Sequence, residues 1–350
     1  MIALMAALAL QPPALAAEVP TQGNGHAQNP QFSPDGNLLA FEVNTMSTSI
    51  ELWVVDVSAG KPGTPTRVQL PGGGGSFGGG GGVAVDPVWT EQPQRMLVFE
   101  GATTGSKSRL YLFTPGGGAP SELLNSGQIS GNLTFPEFAP DGSRMAFISD
   151  ATGAGDVYVW EVSGGGIEPI FVSGDPDHSP AFSPDSSQLV FSRKNQGSED
   201  LFTWAGGSTT APLTGGRGDQ TRPIWSDDGI VFFTSERGEG QWDIVSTAPK
   251  AGGTRQVVAS NVRLPARAAP AISPDGSAVA YTSADPTLGG SVYISRLDGS
   301  KTAEVATGLV ACGEPSLVSS GGRTWLAFTA LPSAGSDWRR LHVIDVTGKY

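Results

Sequence analysis

One short pattern recurs along this chain at nearly constant spacing, and it limits the fold more than any other feature. Asn29 to Phe41 reads NPQFSPDGNLLAF, Phe135 to Phe147 FPEFAPDGSRMAF, Ser179 to Phe191 SPAFSPDSSQLVF and Ala269 to Tyr281 APAISPDGSAVAY. Arg222 to Phe233, RPIWSDDGIVFF, is one residue shorter, and Asp86 to Phe99 and Glu314 to Phe328 are looser copies. The leading prolines, Pro30, Pro87, Pro136, Pro180, Pro223, Pro270 and Pro315, are spaced by 57, 49, 44, 43, 47 and 45 residues. Self-similarity at such a period is the signature of a repeat architecture in which no unit is stable alone.

Each copy encodes a hairpin. An apolar residue two after the proline begins a strand, as at Phe32, Trp89, Phe138, Phe182 and Trp225. In the Ser-Pro-Asp-Gly turn, Pro presets φ, Asp bonds its own backbone, and Gly tolerates φ > 0. A second strand ends in an apolar-aromatic step such as Met145-Ala146-Phe147. A polar loop follows, then a third strand such as Val157-Tyr158-Val159-Trp160 and a weaker fourth around Glu168 to Val172. With 49 glycines, 27 prolines and no long run of helix formers after residue 17, the chain reads as all-β. Four antiparallel strands repeated radially make a β-propeller. The expectation is one domain over residues 18–350, seven-bladed, with blade motifs starting at 29, 86, 135, 179, 222, 269 and 314. The last copy has only three strands, so the N-terminal segment Glu18-Val19-Pro20-Thr21 is expected to pair outside it and close the ring.

The P-x-[WF]-S-P-D-G-x-x-[IL]-A-F units resemble the PD40, or WD40-like, repeat of the TolB β-propeller superfamily, over about residues 29 to 348. The resemblance implies the fold strongly and the function weakly, because one fold hosts many functions. The namesake of the family has an α/β domain ahead of a six-bladed propeller. Here about a dozen residues separate the N-terminal apolar stretch from the first of seven motifs, so a role shared with the namesake is not carried over. Prolyl oligopeptidase-like enzymes join such propellers to an α/β-hydrolase domain, for which this chain has no segment.

Residues 1–17, MIALMAALALQPPALAA, read as a secretory signal with an A-x-A-like site at Ala14-Leu15-Ala16. The apolar run is too short to span a bilayer. The lone cysteine, Cys312, allows no intrachain disulfide. A net charge of −12 argues against nucleic acid or anionic lipid as partner. The expected location is periplasmic or secreted, without membrane insertion.

Several local features invite a chemical reading. Gly74-Gly75-Ser76-Phe77-Gly78 matches the G-x-S-x-G nucleophile elbow. It lies in the run 72–82, where glycines follow instead of a helix, so it reads as an inter-blade link. Arg217-Gly218-Asp219 matches an adhesion tripeptide but falls in a Gly-rich loop. The Asp residues of the turns (Asp35, Asp141, Asp185, Asp275) recur too regularly to be acid catalysts. Of three histidines, His342 lies in a third strand, while His26 and His178 precede motif prolines and could meet at one face. Seven-bladed oligogalacturonate lyases are similar in repeat style but use several histidines at a metal centre, more than this chain offers.

The residues just before the motif prolines form the most informative set: Asn29, Asp86, Phe135, Ser179, Arg222, Ala269 and Glu314. By repeat equivalence they share one depth near the channel mouth. Ring closure makes Glu314, Asn29 and Asp86 neighbours, an acidic crescent with Arg222 across the channel. No cofactor is expected; the crescent would suit a divalent cation such as Ca²⁺ or an amino group of a partner. The leading functional expectation is a non-enzymatic protein-recognition or scaffold module of the cell envelope, binding through its variable loops. The competing expectation is a channel-mouth lyase or hydrolase acting on an extracellular polymer, drawing on Asp86, Glu314, Arg222, His26 and His178.

Overall fold

The computed structural model describes residues 16–20, 24–46, 49–71, 82–90, 95–125, 127–195, 197–284, 290–305 and 307–350. Most of the segment read as a signal (residues 1–15) and the glycine link at 72–81, with Ser76, lie outside the described residues.

The motif folds as its chemistry dictates. In the first turn Ser33 Oγ donates to Asp35 Oδ1 at 2.6 Å and accepts from Leu38 N at 2.9 Å, while Gly36 N closes on Ser33 O at 2.8 Å. The same bonds recur around Ser183–Asp185 and Ser273–Asp275. Gly36 has φ +70°, a conformation that glycine adopts without a Cβ penalty. Hydrogen bonds from Ser183 and Ser187 hold the Asp185 carboxyl down at about 2, so the turn aspartates are structural anions.

Antiparallel strands follow each turn. The third unit, for example, pairs Leu133–Phe138, Arg144–Ser149, Asp156–Glu161 and Ile167–Pro169 in that order. Four-stranded units of this order begin at His26, Gly82, Leu133, Asp177, Gln220 and Ala271; the first two are joined by one parallel bridge, Ile50 to Val83. Val310–Ser320, Arg323–Leu331 and Arg340–Asp345 make three strands of a further unit. Its fourth strand is Ala17–Glu18 from the opposite end of the chain, in register with Val343 and His342. Val19 N adds a 2.8 Å bond to Leu341 O, and its side chain is fully buried.

The second strand of each unit is the core strand. Phe41, Phe99, Phe147, Phe191, Phe232 and Phe328 are fully buried there. In five units an aromatic ring of the third strand stacks on this strand, as Tyr111 does on Phe99 at 5.7 Å; in the last unit the stacking partner is His342, 5.6 Å from Phe328. Each apolar cluster spans two units, and one joins Phe32, Leu39 and Phe41 of the first to Val318, Ala327 and Val343 of the last. Two motif tryptophans stitch the innermost strands: Trp89 Nε1 donates to Gln31 O (2.9 Å) and Trp225 Nε1 to Ala181 O (3.0 Å), each in a neighbouring unit.

Candidate functional site in the axial cavity

Six of the innermost strands carry a kink at the residue before the motif proline. Asn29, Asp86, Phe135, Ser179, Arg222 and Glu314 all have φ between +46° and +53°. The strand register shifts at each of them, as between Gln28 and Gln31 or Val85 and Val88. A non-glycine residue in this left-handed region costs about 1 kcal/mol or more. That six repeats share it shows that the pre-proline positions are geometrically equivalent. Ala269 is the exception: its unit has an inner strand of only two residues, Ala271–Ile272, preceded by an irregular segment, 263–269.

That segment is a strap across the cavity. Arg222 of the fifth unit donates from Nη2 to Ala266 O at 2.8 Å and from Nη1 to Pro265 O. The Ala266 N–H donates to Glu314 of the last unit. Arg267 Nη2 pairs with Asp86 and, at 2.7 Å, with Glu100 Oε2, both of the second unit. Its guanidinium also lies 4.8 Å over the Phe135 ring of the third. Asn29, Asp86, Phe135, Ser179 and Ala269 line a cavity of about 330 Å³ on the side of the strap that carries Pro34 and the turns. Glu314 and His26 line another, of about 300 Å³, with Arg263 and Arg339.

The crescent is brought together. Asn29 N donates to Glu314 Oε2 at 2.7 Å. Asn29 Nδ2 and Asp86 N both donate to Glu42 Oε1, at 2.8 and 2.9 Å. Glu42 and Glu100, on second strands, are thus buried beneath the crescent, and neither was singled out from the sequence. Burial pushes Asp86 up to about 7; Arg267 pulls it down, and Glu42 and Glu100 push it further up. Burial likewise raises Glu42 and Glu314. The Arg222 guanidinium, expected across the channel from the crescent, is spent on strap carbonyls; the counter-charge of Asp86 is Arg267. His178 and His26 serve separate units: His178 Nε2 pairs with Glu199 Oε2 at 2.9 Å, and His26 Nδ1 accepts from Arg339 N at 3.2 Å beside Trp338. Burial, then Arg339 and Arg340, lowers the His26 pKa. Among the described residues no group of three His, Cys, Asp or Glu is placed to hold a metal.

Glu137 is a further cavity residue that the motif reading passed over. It is partly buried, lines the cavity beside Asp86 and Arg267, and is pushed up to about 8 by burial alone. The signal was present: it is the one charged residue immediately after a motif proline.

Four-stranded antiparallel units with their innermost strands around one cavity define a β-propeller. The family model described as TolB beta propeller domain matches residues 175–350, and the chain belongs to that family. A Protein TolB homolog of Chlorobium luteolum is 28% identical over 147 residues, 41% of this chain; the match spans only 29% of that relative's length. Among solved structures, an oligogalacturonate lyase from Vibrio parahaemolyticus superposes with a TM-score of 0.62 at 12% identity, over 94% of this chain and 91% of that one. A Mycobacterium tuberculosis puromycin-hydrolyzing peptidase gives 0.64 at 13% identity, over 97% of this chain and 56% of the peptidase. At these identities the likeness concerns the fold alone.

Proposed function

We propose that the protein is an exported, non-catalytic recognition module of the cell envelope, a single propeller over residues 18–350 behind a signal at 1–17. The run of four-stranded units supports a count of seven blades, and the pairing of Ala17–Glu18 with the last unit supports closure of the ring by the N-terminal strand. The observation that carries the non-catalytic reading is the strap. It occupies the place where a channel-mouth enzyme would converge its acid and base. Asp86, Arg222 and Glu314 are bonded to it, and His178 is engaged by Glu199. The partner is a protein, met by the face bearing the loops between second and third strands and the inter-blade links. A net charge of −12 disfavours nucleic acid, and among the described residues no helix is long and apolar enough to cross a membrane.

Affinity capture from envelope extract tests this. Wild type and Ala119→Arg, on the opposite face, should retain one and the same partner. Ala154→Arg and Glu239→Arg, both exposed on the loop face, should lose it. Absence of a partner together with turnover of an oligosaccharide or peptide would replace this reading with the enzymatic one, for which Glu137 is the available cavity acid. A divalent cation such as Ca²⁺ at the crescent would have to displace Arg267. Calorimetric titration of wild type and Asp86→Ala with Ca²⁺ and Mg²⁺ tests that ligand; no heat in wild type ends it.

A further inference from the structure

In five units the position just after the motif proline lines the cavity. Gln31, Val88, Ala181 and Ile224 hold it in four units and line the same wall as Glu137. Glu137 alone among them is charged. Among the described residues no ion pair or side-chain hydrogen bond reaches its carboxyl. Pro87, Pro136, Pro180 and Pro223 line the cavity, and proline carries no N–H. The other charged residues of the wall, Asp86 and Arg267, are paired with each other. No charged or hydrogen-bonding neighbour offsets the desolvation of Glu137. An ionised carboxylate in such a place calls for a counter-ion that brings its own donors.

Three features fix the class of that counter-ion. A cavity of about 330 Å³ is at the small end of small-molecule sites. A single carboxylate cannot replace the six to eight oxygens that Ca²⁺ takes, whereas an ammonium supplies three N–H donors. Beside the polar Asn29, Gln31 and Ser179, the wall has an apolar and aromatic side made of Val88, Trp89, Ile224 and the prolines, with Trp89 held in place by its bond to Gln31 O. An organic cation gains from an aromatic face as well as from a carboxylate. We propose that the cavity on the turn side of the strap binds a small organic amine, its ammonium on Glu137 and its apolar body against Trp89, Ile224 and the prolines. This site is distinct from the loop face assigned to the protein partner. Because the empty carboxyl holds its proton up to about pH 8, binding at neutral pH releases that proton to the buffer.

The test is calorimetry with cyclohexylamine, and cyclohexanol as its neutral counterpart, at pH 7 in phosphate and in HEPES. Wild type should bind the amine at least about tenfold more tightly than the alcohol, as a charge-assisted pair requires, and release close to one proton. Glu137→Gln should bind both equally. Ala181→Leu, which narrows the cavity from the neighbouring unit, should weaken both ligands alike. The proposal is overturned if wild type shows no preference for the amine, if Glu137→Gln keeps it, or if Asp86→Asn abolishes it while Glu137→Gln does not.

Discussion

His342 stands where three other units place a tyrosine and one a phenylalanine, stacked on the core strand. It is 3% exposed, sits opposite Glu18 of the N-terminal strand, and among the described residues neither ring nitrogen has a hydrogen-bond partner. Burial alone brings its pKa from 6.5 down to about 4. The unfolded chain therefore binds a proton between these values and the folded chain does not, so stability is present above pH 6.5 and is lost as pH falls towards 4. For the shift of 6.5 to about 4, the loss between pH 7.5 and 4.5 works out at about 2.5 kcal/mol. Replacing His342 by Phe keeps the stacked ring and removes the titration. Urea unfolding of wild type and His342→Phe across this range should give near-equal stabilities at pH 7.5 and a gap of about 2.5 kcal/mol in favour of the variant at pH 4.5. Every other titrating group is common to both proteins and cancels in the difference. Parallel pH profiles would refute the reasoning, as would an NMR titration that puts His342 near 6.5.

Arg267→Ala should cost about 3 kcal/mol or more in urea unfolding, because it leaves Asp86 and Glu100 buried without their cation, and adding Asp86→Asn should recover part of that loss. Glu137 titrates with the opposite sign to His342. Its pKa is raised from 4.5 to about 8, so its contribution is present below 4.5 and lost as pH rises through 8. Glu137→Gln should therefore gain on wild type between pH 5 and pH 8.5, and a constant difference would contradict this. Deleting residues 18–24 removes Val19 from the core cluster shared by the first and last units and should lower Tm by several degrees; an unchanged Tm would reject closure by this strand. Ser76→Ala should leave stability and partner capture unchanged, as expected of an inter-blade link and not of a nucleophile.

What was legible in the sequence is what repeats. The Ser-Pro-Asp-Gly turn carries its geometry in four residues, so the hairpins and the structural role of Asp35 and Asp185 could be read directly. The pre-proline positions were also legible as one layer, and their shared φ near +50° gives that layer its physical basis. Glu42 and Glu100 were missed because a buried carboxylate beneath a layer belongs to another strand and has no motif of its own. They could have been found by aligning the residue that follows the core aromatic: Glu42 and Glu100 stand out there against Ile148, Ser192 and Thr329. The strap was not legible. An irregular segment of seven residues has no period, and only its contacts with four other units reveal that it crosses the cavity.

The departures from the repeat carry the functional argument. A repeat that served packing alone would keep its inner wall uniform, since each unit buries the same face. This wall is not uniform. The sixth unit gives up its kink at Ala269 and sends Arg267 to Asp86 and Glu100 instead. Two second strands place glutamates under the layer, and the third unit puts Glu137 where its neighbours put apolar or neutral side chains. Each departure costs stability through a buried charge or a shortened strand. Asp86 and Glu100 share Arg267 as their cation, whereas among the described residues no cation pairs with Glu137. A carboxyl without a cation, in a wall whose other charged residues are paired, is the physical reason to look for a ligand there.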